Sequence, residues 1–291
     1  MLPTIALWHA TDANKWCSKR LCNGKHTLCR DHGRYYPTCP SHATSRIRMQ
    51  QDFKDMIVNK HNDYRNKFAG GLANNTKAAR MPFIKWDDEL AAIADSLVRR
   101  CQPSRDKCAV SEKYYHSAEV SFALEKYYCM TTKKAALKKQ LNTWFDPLNH
   151  LDKAPNLYFT TNAKNLGHSI YYYQVLRDRA NRVGCALVEY IRPALVHQLL
   201  KCVYNCGVTP CYEELNPVYE HTNNKAGEAC ETGTHDVYTN LCSAREPMKL
   251  CGDSSELPST NPTIPPYGND FLDWTLPPIP ANPPIPPGDD K

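Results

Sequence analysis

At 291 residues, 42% of them hydrophobic, the chain can bury one substantial core and suits a medium domain with appendages rather than two full domains. Its 36 basic and 30 acidic residues leave a net charge of +6, but pairs such as those at 99–100 and 138–139 sit inside helical patterns and read as solvated surface. No focused basic stripe with stacking aromatics invites nucleic acid, and no apolar run reaches the roughly 18 residues of a membrane span.

The first 45 residues carry Cys17, Cys22, Cys29 and Cys39 among Gly, His, Lys and Pro with almost no apolar periodicity, which predicts a loop-rich segment held by cross-links. Fourteen cysteines in all point to an oxidising, extracellular setting. A zinc reading fails, because there is no paired Cys-x-x-Cys set and Cys202, Cys206 and Cys211 lack histidines in finger register. The opening Met-Leu-Pro-Thr-Ile-Ala-Leu-Trp-His-Ala has no basic region and only a short apolar stretch, so the leader that secretion requires is expected to have been removed or to be incomplete in this sequence.

Phe53, Met56, Ile57, Tyr64 and Phe68 recur at helical spacing and predict a helix over 51–68, stopped by Gly70-Gly71. Asn74-Asn75-Thr76 is an N-glycosylation sequon at Asn74. Leu90, Ile93, Ala94 and Leu97 predict a second helix, with Asp87 and Asp88 at its start and its end near Cys101. A third is expected over 133–145, with Leu137, Leu141, Trp144 and Phe145 on one side and Pro147 beyond it. The β-branched and aromatic runs 169–176, 183–191 and 199–204 then predict strands. Helices followed by strands imply an α+β fold, a three-layer sandwich with helices covering a mainly antiparallel sheet. Half of the 22 prolines fall in the last forty residues, which predicts an extended, flexible tail, either a bare surface extension or a polyproline ligand or spacer.

Several motifs in order carry a resemblance. They are Trp16-Cys17, Cys22, Lys25-His26-Thr27 and Cys29; Cys39-Pro40; His61-Asn62-Asp63-Tyr64-Arg65-Asn66; Trp86-Asp87-Asp88-Glu89-Leu90; and Cys101 with Cys108. Farther on come Arg182-Val183-Gly184-Cys185-Ala186, Leu200-Lys201-Cys202-Val203-Tyr204, Cys230-Glu231-Thr232-Gly233 and Tyr238-Thr239-Asn240-Leu241-Cys242. From Trp16 to Cys242 the chain resembles the CAP superfamily in its insect venom allergen and antigen 5-like branch. The resemblance implies a three-layer α-β-α sandwich divided into a disulfide-rich segment 1–45, a CAP domain 46–210, a cysteine-containing hinge 211–251 and the proline-rich tail 252–291. It implies disulfides Cys17–Cys29, Cys22–Cys108, Cys39–Cys101, Cys185–Cys202 and Cys230–Cys242, and leaves Cys129, Cys206, Cys211 and Cys251 unassigned.

The family's two histidines and two acids align here with Arg105, Glu119, Pro147 and Tyr171, so the resemblance implies a degenerate tetrad, no metal and no cofactor. An arginine offers no lone pair to a cation and a proline no acid. His168 near Tyr171 would return to the cleft only through a bulge. His61 and Arg65 are expected to support packing and surface hydrogen bonds, and Tyr114-Tyr115, Tyr127-Tyr128 and Tyr171-Tyr172-Tyr173 to be core and rim aromatics.

These features imply a secreted, non-enzymatic protein that binds an unidentified extracellular protein or receptor, in seminal fluid after mating or in saliva or venom. The absence of an Arg-Gly-Asp tripeptide weighs against integrin blocking in saliva. The competing reading is a CAP protein that binds a sterol or fatty acid in an apolar groove. A hydrolase would need a base beside its nucleophile, and Ser117 and Ser169 have only the adjacent His116 and His168, which a strand turns to the opposite face.

Overall fold

The computed structural model describes residues 15–41, 43–71, 76–104, 108–114, 118–128, 130–145, 174–207, 218–249 and 251, with backbone only for 118–122. Three helices form among them: α1 Gln51–Ala69, α2 Asp88–Val98 and α3 Lys133–Phe145. Asp87 caps α2, accepting from the Glu89 and Leu90 amides at 3.0 and 3.1 Å. Gly71, at φ 98°, closes the turn after α1, where its N–H bonds the Phe68 carbonyl.

The strands are β1 Ser45–Ile47, β2 Lys77–Ala78, β3 Lys85–Trp86, β4 Ala118–Tyr127, β5 Arg182–Arg192, β6 Leu195–Tyr204 and β7 His221–Thr222. The main sheet runs β1-β5-β6-β4, antiparallel along that path, with β3 parallel to β5. β5 and β6 form a long hairpin from Val183 opposite Tyr204 to Arg192 opposite Leu195, joined by Pro193 and Ala194.

The hairpin's side-chain alternation divides the core. Cys185, Leu187, Leu200, Cys202 and Tyr204 face a cluster with Ile57, Tyr64 and Phe68 of α1 and Leu137, Leu141, Trp144 and Phe145 of α3. Ala186, Val188, Tyr190, Leu199 and Val203 face the other way, onto Leu90, Ile93, Ala94, Leu97 and Val98 of α2 together with Trp16, Leu21 and Cys39. The result is the α-β-α sandwich. Gly184 sets its thickness, because a Cβ there would lie 2.0 Å from the Ala91 nitrogen.

Two strand expectations are corrected. Strands do not simply follow helices, because β4 lies between α2 and α3 and the short β1, β2 and β3 precede it. Of the strand expected over 169–176, residues 169–173 lie outside the described residues and 174–176 form a helical turn. The Val175 and Arg177 carbonyls there accept from the Arg65 guanidinium rather than from a neighbouring strand.

Among the described residues there are six disulfides: Cys22–Cys108, Cys39–Cys101 and Cys206–Cys251 fasten the flanks to this frame, Cys17–Cys29 and Cys230–Cys242 close loops within the flanks, and Cys185–Cys202 bridges β5 and β6. The Cys206–Cys251 bond brings the end of the 218–251 segment back to the sheet, and β7 pairs with β2. A buried ion pair, Arg80 Nε to Glu246 Oε1 at 2.7 Å, joins the same segment to the core. Cys129 and Cys211 lie outside the described residues, as do 252–291.

Candidate functional site

The four tetrad positions are only partly placed. Glu119 sits on β4 opposite Val203, next to an irregularity in register between Glu119 and Ser121, and its side chain lies outside the described residues. Arg105, Pro147 and Tyr171 also lie outside them, as do His116, Ser117, His168, Ser169 and the sequon residue Asn74.

A described polar interior is built on α1. His61 and Arg65 are fully buried, so the expected surface hydrogen bonds are replaced by internal ones. His61 Nδ1 lies 2.8 Å from the Ile57 carbonyl and Nε2 lies 2.9 Å from the Tyr204 hydroxyl, joining α1 to the end of β6. Burial pushes the imidazole down to about 4, with Arg65 adding repulsion, against an opposing effect of the Ile57 carbonyl. His61 is therefore neutral at physiological pH, with both ring nitrogens engaged.

Arg65 donates to three backbone carbonyls. Nε and Nη2 reach Pro82 at 3.2 and 2.8 Å, while Nη1 reaches Val175 at 2.6 Å and Arg177 at 2.9 Å. Burial lowers its pKa to about 10, partly offset by Asp178 and Tyr204, so it stays charged near neutrality. Asn62 donates to the Val58 and Ile84 carbonyls and accepts from the Ile84 N–H. Asn66 accepts two hydrogen bonds from Asn240, on Oδ1 from the backbone N–H and on its carbonyl from Nδ2, and Gly70 makes room, since a Cβ there would lie 2.6 Å from Asn240 Nδ2. The His-Asn-x-x-Arg-Asn run is a docking device that fixes α1 to four other segments, at Tyr204, residues 82–84, residues 175–177 and Asn240.

Two other polar centres lie on either side of the sheet. Asp87 Oδ2 accepts from the Tyr114 hydroxyl at 2.6 Å and the Lys113 ammonium at 2.8 Å while Oδ1 caps α2. At the far end, Glu189 accepts from the Tyr127 hydroxyl and from Gln198 Nε2, and pairs with Lys133. Tyr114 and Tyr127 are accordingly buried, whereas Tyr128 stands exposed. Arg99, expected in solvated surface, is also buried, held by an ion pair to Asp31. Among the described residues no group of three His, Cys, Asp or Glu side chains lies close enough to hold a metal ion.

A nonpolar sheet covered on both faces by helices, with cysteine-bonded extensions at both ends, defines the class. The family model "CAP: Cysteine-rich secretory protein family" matches residues 58–193. Antigen 5 like allergen Cul n 1 of Culicoides nubeculosus is 32% identical over 196 residues, spanning 61% of this chain and 84% of that protein. The chain belongs to the CAP family, on its venom allergen and antigen 5-like side. Venom allergen-1 of Aedes aegypti is 29% identical over 240 residues, covering 80% of this chain and 89% of that protein. The solved structure of BmVAL-1 superposes with a TM-score of 0.51 at 17% identity, over 70% of this chain and 98% of that one, a likeness of fold.

Proposed function

We propose that this CAP protein is secreted and acts without catalysis, by binding an extracellular protein or receptor, in male seminal fluid after mating or in saliva or venom. The observation that carries this reading is the engagement of the interior polar groups. His61, Asn62, Arg65 and Asp87 each make hydrogen bonds that join one segment of the fold to another, and His61 is held neutral with neither ring nitrogen free to act on a substrate. Three of the residues aligned with the family tetrad, Arg105, Pro147 and Tyr171, supply neither imidazole nor carboxylate, and only Glu119 keeps an acid. Disulfides that fasten both flanking segments suit a scaffold exposed to extracellular proteases, with its loops and the 252–291 tail as contact surfaces.

Mass spectrometry of the source animal's saliva or venom and, separately, of male accessory-gland fluid and the mated female tract tests the setting. Detection in one of these fluids supports the reading, and detection in cell extracts alone overturns it. Peptidase or esterase turnover by the purified protein, abolished by Glu119→Gln, would overturn the non-catalytic assignment. Stoichiometric sterol or fatty acid extracted from the purified protein would favour the lipid-binding alternative.

A further inference from the structure

The N-terminal flank carries a shallow polar basin of about 420 Å³ whose lining includes Lys25, Thr27, Arg30, Tyr36, Arg100 and the Cys17–Cys29 bridge. Its charge is one-sided. Lys25, Arg30 and Arg100 are its ionic side chains, and no acid appears among the lining residues that are described. The surrounding segment adds Lys15, Lys19, Arg20 and Arg34, while Asp31, the one acid within 15–41, is taken up by Arg99 and the Gly33 N–H.

The basin is also preorganised. The Arg100 guanidinium lies 5.0 Å over the Tyr36 ring, and its Nη2 donates to Thr27 Oγ1 at 3.2 Å. Thr27 is in turn tied to Ser96 of α2 by a 2.8 Å hydroxyl contact. The Cys17–Cys29 bond closes the loop that carries Lys25, and Cys22–Cys108 and Cys39–Cys101 tie it to the segment that follows α2. A concavity of this size fits one or two sugar units, and a planar guanidinium with two flanking cations fits a tetrahedral oxyanion.

We propose that this basin binds the sulfate ester of an extracellular glycan, with Arg100 holding the oxyanion, Lys25 and Arg30 closing on it, and Lys15, Lys19, Arg20 and Arg34 of the same segment adding positive charge that attracts a polyanion. The choice of sulfate over phosphate rests on the extracellular setting proposed above; the oxyanion site itself does not.

The test is a calorimetric titration of the full, oxidised chain with a sulfated heparin disaccharide, its desulfated counterpart and glucose 6-phosphate, at two salt concentrations. The expected result is saturable binding of the sulfated sugar that weakens as salt rises, with at least tenfold weaker binding of the desulfated one. Lys25→Ala with Arg30→Ala should weaken binding at least tenfold while leaving the melting temperature unchanged, because both side chains are exposed. Arg100→Lys, which keeps the charge and loses the fork, should weaken it about threefold to tenfold. Equal binding of the desulfated sugar, or unchanged binding by the double variant, would overturn the site. Tenfold tighter binding of glucose 6-phosphate would overturn the sulfate assignment and leave an oxyanion site whose ligand is a phosphate ester, a result that bears on the extracellular setting and not on the basin.

Discussion

Residues 182–204 and 15–41 both lie against α2, yet they are ordered in different ways. The hairpin 182–204 alternates large apolar side chains between two helical layers and is buried along most of its length. The N-terminal segment holds regular structure only in the 3-10 turn Cys22–Gly24; Trp16, Leu21 and Cys39 reach the core, and 32–38 is exposed. Two disulfides to Cys101 and Cys108, a third within the segment, and the Asp31–Arg99 pair anchor what apolar burial does not. Order from burial is set by side-chain period and volume; order from cross-links is set by chain entropy and survives much sequence change between the anchors.

The largest effect should come from the longest closure in the flank. Cys22→Ser with Cys108→Ser removes a bond of sequence separation 86, shortened in effect by the nested Cys39–Cys101 bond, and should cost about 3.5 kcal/mol on the chain-entropy argument, against about 3 kcal/mol for the 12-residue Cys230–Cys242 closure. Urea unfolding of both variants checks the order, and the reverse order would break the comparison from the flank's side. Breaking it from the core's side needs one methyl group. Gly184→Ala drives a Cβ into the α2 backbone at Ala91 and should cost about 3 kcal/mol or more, read in the same assay; a loss below about 1 kcal/mol would mean that the helix and sheet can separate at little cost.

Acid should act on the core through His61. Its folded-state pKa, about 4, lies below the usual 6.5, so between those values the unfolded chain binds more protons. The stabilisation is complete above about pH 6.5 and is lost as pH falls through about 4, amounting to about 3 kcal/mol over that window. The imidazole carbon resonances of His61 should titrate with a midpoint near 4, and a midpoint near 6.5 would show that the ring reaches solvent. The smallest effect belongs to the surface. The Arg46–Asp95 pair, with the arginine half exposed, should contribute under about 1 kcal/mol, so Arg46→Ala should shift the unfolding midpoint little.

The same division governs what the sequence made legible. The apolar spacings of 51–68, 90–97 and 133–145 marked three helices because each has one buried face, and the β-branched runs marked β5 and β6. β4 was hidden. Val120, Phe122 and Leu124 alternate with Glu119, Ser121 and Glu125 as a strand should, but Ala, Glu, Leu and Lys also suit a helix, and pairing with β6 decides the outcome. The helical turn at 174–176 depends on Arg65, more than a hundred residues away, and no local pattern announces such a partner. In the candidate site, Arg105, Pro147, Tyr171 and the Glu119 side chain lie outside the described residues, and the internal roles of His61, Asn62 and Arg65 were not legible, because helix periodicity gives a face and not a hydrogen-bond partner. Cys206–Cys251 left no spacing signal either, since closures of such length are fixed by the fold.

Residue-resolved hydrogen exchange before and after mild reduction under native conditions tests most directly whether burial orders the sandwich and cross-links order the flank. The account predicts that reduction releases the amides of 15–41 to near-unprotected rates while those of β5 and β6 remain the slowest to exchange, with Cys185–Cys202 sealed in the core between them. Simultaneous loss of protection in both regions would contradict it, because the sandwich would then depend on the same covalent closures as the segment it carries.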